Sequence, residues 1–157
     1  MTSEKSPGAK LVELFVIFAM VLGVALLVLR KWEGLSENKQ RSVTVNRMLA
    51  IEAGLAKYMI DAAGALPTGE QGLAALLREP ASGPRPVSWK GPYVDSEEVL
   101  KDAWGRDFQY FCPGQPVKGH PDIHQPYSLS SYGADGAEGG EGMDRDICSW
   151  KRTTMIP

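Results

Sequence analysis

Cysteine and histidine are scarce: the 157 residues hold two of each, Cys112 and Cys148, His120 and His124. The cysteines show no Cys-x-x-Cys spacing and have no second thiol nearby, which leaves no zinc framework. The histidines fall in a proline-rich turn region, away from any Gly-x-Ser-x-Gly elbow or His-Glu-x-x-His helix, and read as surface or turn residues. Basic runs are missing beyond the pairs Arg30-Lys31 and Lys151-Arg152, and the formal charge is −2, so nucleic acid finds no electrostatic footprint. Proline is absent between Pro7 and Pro67, which removes the main interruption to a long helix over that interval. No internal repeat is evident, and the length suits one anchor plus one compact domain rather than a multidomain enzyme.

What is present begins with a hydrophobic run, LVELFVIFAMVLGVALLVL, from Leu11 to Leu29. At about 1.5 Å per residue a helix of this length comes close to the roughly 30 Å of a bilayer's hydrocarbon. A secretory signal would carry a shorter core and a small-x-small site; Arg30, Lys31 and Trp32 follow instead, which favours retention of the segment. Beyond a polar joint, SENKQRS, the apolar residues Val45, Met48, Leu49, Ile51, Leu55, Tyr58 and Met59 recur at steps of three and four. That periodicity predicts an amphipathic helix continuous with the first, stopping near Gly64, with Gly34 as its weakest point.

Thr68-Gly69-Glu70-Gln71 fits a capping box opening a short second helix through Leu73, Leu76 and Leu77. The stretch PASGPRPVSWKGP after Glu79 carries too much proline and glycine for regular structure. DFQYF (Asp107 to Phe111) and PYSLSSY (Pro126 to Tyr132) read as short strands, and Tyr58 and Trp104 as core aromatics.

Two features invite chemistry. Glu13 lies inside the hydrophobic run, where a carboxylate costs about 2.5 kcal/mol or more on insertion scales. Either it stays near the headgroups, within reach of Lys10, or it pairs with a terminal amine or a cation of a neighbouring helix. The segment from Gly133 to Asp146 interleaves five glycines with Asp135, Glu138, Glu141, Asp144 and Asp146. Such a composition suits Ca²⁺, which takes six to eight oxygen ligands, and equally a solvated loop; its spacing is not that of an EF-hand. In an oxidising compartment Cys112 and Cys148 admit a disulfide worth about 4 kcal/mol in the chain-entropy model, or remain free thiols.

Several segments then converge on one family. Gly8 followed by Ala9-Lys10-Leu11-Val12-Glu13 and the apolar run resembles the leader of type IV pilins and pseudopilins. LPTGEQGLAALLREP, GPYV, KDAWGRDFQYFCPG and PYSLSSYGADG, in that order, resemble the major pseudopilins of the type II secretion system. The resemblance implies cleavage by a prepilin peptidase between Gly8 and Ala9, methylation of the new amine, and Glu13 as fifth mature residue contacting the neighbouring subunit's N-terminus. It also implies one structural Ca²⁺, with Asp135 as first ligand, Asp146 or Asp144 as the later one, and the backbone carbonyl of Tyr132 as a further ligand. Ala9 and Lys10 depart from the family's usual residues there, as do the two cysteines.

The expected fold is α+β and pilin-like: a long N-terminal helix, membrane-spanning and then amphipathic, packed on a small domain with a short helix, an antiparallel sheet and a calcium loop. The expected organisation is a leader over residues 1–8, a transmembrane and assembly helix over 9–31, and a periplasmic domain over 32–157. The implied role is not enzymatic. It is polymerisation into the periplasmic pseudopilus that drives export of folded proteins, from a single-pass position in the bacterial inner membrane. Implied partners are further copies of the chain, minor pseudopilins, the inner-membrane secretion platform and the prepilin peptidase. Rival expectations are a pilin-like subunit of another machine, a minor pseudopilin, and a signal-anchored periplasmic binding domain.

Overall fold

The computed structural model describes residues 7–115 and 125–154. The leader's first six residues, His120 and His124 lie outside them. A single helix, α1, runs Pro7–Asp61 and contains Gly8, Ala9 and Glu13; it continues through Gly34, its expected weakest point. The chain divides into two compact units, Met1–Asn38 and Lys39–Pro157. Among the described residues no helix is long and apolar enough to cross a membrane. The side chains described continuously in the first unit run from Glu13 to Val28, and the expected span from Leu11 to Leu29 extends past them at both ends.

In the second unit α1 presents a narrow stripe. Thr44, Met48, Ile51, Leu55 and Tyr58, at steps of four, three, four and three, are at most 1% exposed. Each of the large apolar side chains contributes about 1.5–3 kcal/mol by leaving water. Leu49 and Met59, expected on the same face, point outward instead, because the stripe is only one residue wide per turn. Gly54 lets the segment around Tyr93 lie on the helix: a Cβ there would come within 3.0 Å of Val94 Cγ1 and 3.1 Å of the Tyr93 carbonyl. Tyr93 stacks edge-on against Tyr58 and donates its hydroxyl to Asp61 at 2.9 Å, tying the helix end to the proline-rich stretch. α1 closes with Ala63 left-handed at φ 53 and the Gly64 amide bonded back to the Met59 carbonyl, a Schellman arrangement.

Thr68 and Gln71 form the expected capping box, each backbone amide donating to the other's side chain at 3.0 and 3.2 Å. The box closes a turn at 68–72, and the element that follows, with Gly72 at its N-cap, is a single 3₁₀ turn, Leu73–Leu76, rather than an α-helix, since Leu73, Ala75 and Leu76 are all drawn into the core within one turn. Further 3₁₀ turns lie at Glu97–Leu100, Gly142–Asp144 and Ser149–Thr154.

Three strands make an antiparallel sheet in the order β1 (Gln109–Phe111), β2 (Ser128–Ser131), β3 (Ile147–Cys148). Tyr110 faces Leu129, and Ile147 faces Ser131, so these four share the face turned toward α1's stripe and Phe108. The opposite face carries Phe111, Ser128, Ser130 and Cys148. It forms one wall of a cavity of about 130 Å³ whose other walls include Tyr132, Asp146 and Trp150. β2 is therefore buried on both faces, which explains its small serines.

Candidate functional site

The acidic loop leaves β2 at Tyr132 and returns at Asp146, one residue before β3. Glycine is required where it doubles back. At Gly133, φ is 69° and a Cβ would meet the Asp144 carbonyl oxygen at 2.8 Å; at Gly136, φ is 73° and a Cβ would meet Arg106 Nη1 at 2.8 Å. The loop's closure is internal. The Asp146 amide donates to the Gly139 carbonyl at 3.1 Å, and the Gly139 amide donates to Asp146 Oδ2 at 3.0 Å. Asp135 is exposed and accepts the Ala137 amide at 3.1 Å. Asp144 is exposed on the 3₁₀ turn, its amide donating to the Glu141 carbonyl at 3.1 Å.

Among the described residues, no group of three or more His, Cys, Asp or Glu side chains gathers as a metal-binding cluster. The three loop aspartates are thus not a preformed carboxylate cage. One atom nonetheless lacks what burial demands: Asp146 Oδ1 is buried without a hydrogen-bond partner. Leaving such an oxygen unmatched costs about 1–3 kcal/mol, more when it is charged. Oxygen donors, a hard-cation preference and this unmatched atom fit a Ca²⁺ ligand set drawn from the loop.

Two arginines hold the loop's ends. Arg41, from α1, donates to the Arg145 carbonyl at 3.0 Å, and its pKa is lowered by burial and then by Arg145. Arg106 donates Nη2 to the Gly133 carbonyl and, at 3.2 Å, to that of Ala134. Arg106 belongs to a turn organised by Asp102, 1% exposed, whose Oδ1 accepts the amides of Trp104 and Arg106 at 3.0 and 2.9 Å. The Ser131 hydroxyl donates to Asp102 Oδ2 at 2.8 Å. From α1, Arg47 donates to the carbonyls of Lys101 and Asp102, and the Thr44 hydroxyl accepts the Ala103 amide at 3.0 Å. Sequence reasoning missed this node. Its one local signal is Asp102 with Gly105 three residues on, at φ 84, an aspartate-led tight turn.

Cys112 and Cys148 are free thiols. β2 stands between the strands that carry or adjoin them, and strands lie about 4.8 Å apart, so the two Cα atoms exceed the roughly 7 Å limit of a disulfide. The pairing admitted from the sequence is therefore excluded by the sheet order. Cys112 Sγ instead donates to the Pro126 carbonyl at 3.5 Å. Burial, and secondarily Asp146, push the Cys148 thiol up to about 11 against the opposing pull of Lys151 and Arg41.

The first unit offers a different kind of site. From Leu14 to Val28 every large apolar side chain is exposed, from 50% at Leu22 and Val28 to 72% at Phe15. Glu13 is exposed on the same helix. An apolar surface this continuous marks a membrane or protein contact.

Comparison with known proteins agrees over most of the chain. The family model described as type II secretion system (T2SS), protein G, matches residues 33–150. The type II secretion system core protein G of Pseudomonas aeruginosa is 37% identical over 153 residues, covering 96% of this chain and 99% of that one. Its Vibrio cholerae counterpart is 35% identical over 148 residues, covering 94% and 93%. The crystal structure of the major pseudopilin from the type 2 secretion system of enterohaemorrhagic Escherichia coli superposes with a TM-score of 0.55 at 29% identity, covering 75% of this chain and 92% of that one. The expected α+β pilin-like class agrees with that structure, and the chain belongs to the protein G family of the type II secretion system.

Proposed function

We propose that the chain serves as the major pseudopilin of a type II secretion system, polymerising into a periplasmic fibre that drives folded proteins across the outer membrane. The observation that carries this reading is the contrast along α1, apolar all round over residues 14–28 and self-satisfied on one buried stripe from Thr44 to Tyr58. A helix apolar on every side is stable only inside a bilayer or among other helices. Residues 9–31 supply both environments in turn: a single inner-membrane pass before assembly, with the following domain in the periplasm, and the fibre's centre after it. Cleavage between Gly8 and Ala9 by a prepilin peptidase frees the amine that Glu13 of an adjacent copy meets. Minor pseudopilins and the inner-membrane platform are the further partners. The role is mechanical rather than enzymatic.

Deleting the gene should leave the exported proteins in the periplasm, with export restored by the wild-type chain. Normal export in the deletion strain rejects this reading.

The loop would hold one Ca²⁺ through Asp135, either Asp146 or Asp144, and the Tyr132 backbone carbonyl, the unmatched Asp146 Oδ1 being the support for Asp146 as the later ligand. When bound, the ion supplies charge that neutralises neighbouring carboxylates and orders the loop. Calorimetry on the wild type should show Ca²⁺ binding that Asp146→Ala and Asp135→Ala each weaken by at least tenfold. Undiminished binding in both variants, or none in the wild type at millimolar Ca²⁺, rejects the site.

A further inference from the structure

Among the described residues Asp102 is the charged side chain buried in the core, and its partner Arg106 is placed unusually. An arginine beside a buried carboxylate gains most from a bidentate fork. Here Arg106 Nε stays 3.7 Å from Asp102 Oδ2, too far for a hydrogen bond, and is buried without any other partner. The guanidinium is spent elsewhere. Its Nη2 reaches the carbonyls of Gly133 and Ala134, the two residues between Tyr132 and Asp135, while Gly136 leaves room beside Nη1 and Trp104 lies 5.8 Å below the guanidinium carbon. A geometry that leaves one donor of Arg106 unmatched in order to hold the loop entrance is that of a positioning residue.

Asp102 completes the device. Its negative charge offsets that of Arg106, so the guanidinium can fix the loop's backbone without repelling a cation bound nearby. The same turn is fastened to α1 by Arg47 and Thr44, and the loop's exit is fastened to α1 by Arg41 through the Arg145 carbonyl. Loop and helix are thereby joined in a closed circuit: α1 to the 101–106 turn, the turn to Gly133–Ala134, the loop to Arg145, and Arg145 to α1.

We infer that Arg106, held and neutralised by Asp102, is the positioning residue of the acidic loop, and that it transmits cation occupancy of that loop to the face of α1 carrying Thr44 and Arg47. The transmission half rests on the calcium reading above; the positioning half does not. Coupling of this kind is reciprocal, so an ion that orders the loop must also steady the turn.

The test is backbone hydrogen exchange of the full chain in detergent, with chelator and with millimolar CaCl₂, alongside calorimetric Ca²⁺ titration, for the wild type, Arg106→Gln and Arg106→Lys. In chelator, Arg106→Gln should speed exchange at the Gly139 and Asp146 amides roughly tenfold, the loss of a charge-assisted tie, and leave the amides of α1 between Met48 and Tyr58 unchanged. Arg106→Lys, which keeps the charge but not the fork, should not restore the wild-type rates. Ca²⁺ should slow exchange at the Ala103 and Trp104 amides several-fold in the wild type and not in Arg106→Gln, whose Ca²⁺ affinity should fall roughly tenfold. Wild-type loop exchange in Arg106→Gln, or a uniform acceleration across α1 and the sheet, overturns the positioning role. Unchanged Ala103 and Trp104 exchange on Ca²⁺ binding overturns the transmission. If the wild type gives no heat with Ca²⁺, the calcium reading and the transmission both fall, and the chelator arm alone decides Arg106.

Discussion

Residues 14–28 and residues 44–58 lie on one helix, with twelve large apolar side chains in the former and six in the latter, yet those of the former are half or more exposed and the buried stripe of the latter is almost wholly sealed. The difference is one of arrangement as well as amount. In the second region the apolar residues fall on a stripe that a small sheet and two short turns can cover, and polar residues occupy the rest. In the first they surround the helix, and no single compact domain covers a cylinder on all sides. One region therefore completes its folding within the chain, and the other, on the proposed function, is covered by lipid or by other copies of the chain. A secretion-fibre subunit needs both properties, since the domain must be stable before the helix changes surroundings.

Substitutions break this comparison in a definite order. Leu55→Ala, in the sealed stripe, should lower the unfolding free energy of the domain by about 2–5 kcal/mol, measured by denaturant titration in detergent. Thr44→Val keeps the shape but strands the Ala103 amide, and should cost about 1–3 kcal/mol by the same measurement. Leu22→Ala, in the open region, should change domain unfolding by less than about 0.5 kcal/mol. A cost there equal to that of Leu55→Ala would mean that the first region is part of the domain's core.

A smaller effect comes from pH. The Cys148 thiol is pushed up to about 11 in the folded domain, above the roughly 8.5 of a free thiol. Because the folded value is the higher one, the contribution is fully present below the unfolded pKa and is lost as pH rises through about 11. Wild-type stability should thus fall more steeply between pH 8.5 and 10 than that of Cys148→Ala. Parallel slopes would place the thiol in contact with water.

The parts legible in the sequence are those governed by local periodicity and local chemistry. The α1 stripe at Met48, Ile51, Leu55 and Tyr58 is readable from steps of three and four, and the capping box from Thr68 and Gln71 alone. Both strands before the acidic loop are readable too, though tertiary pairing trims them to three and four residues. Leu49 and Met59 mislead because hydropathy cannot distinguish a one-residue seam from a broad face. The cysteine pairing misleads because strand order is a long-range property. Beyond its Asp102-Gly105 turn, the Asp102–Arg106 node is hidden for the same reason: Thr44, Arg47, Ser131 and Gly133 are ordinary residues until folding brings them to one aspartate and its arginine.

The central claim is that the open half of α1 is the core of a polymer and that Glu13 sets its register. It is tested most directly by imaging fibres from cells overproducing either the wild type or Glu13→Leu, at matched amounts in the membrane fraction. Leucine makes the helix more apolar, so membrane retention should persist while fibres disappear. Fibres of equal number and length from Glu13→Leu would contradict the account.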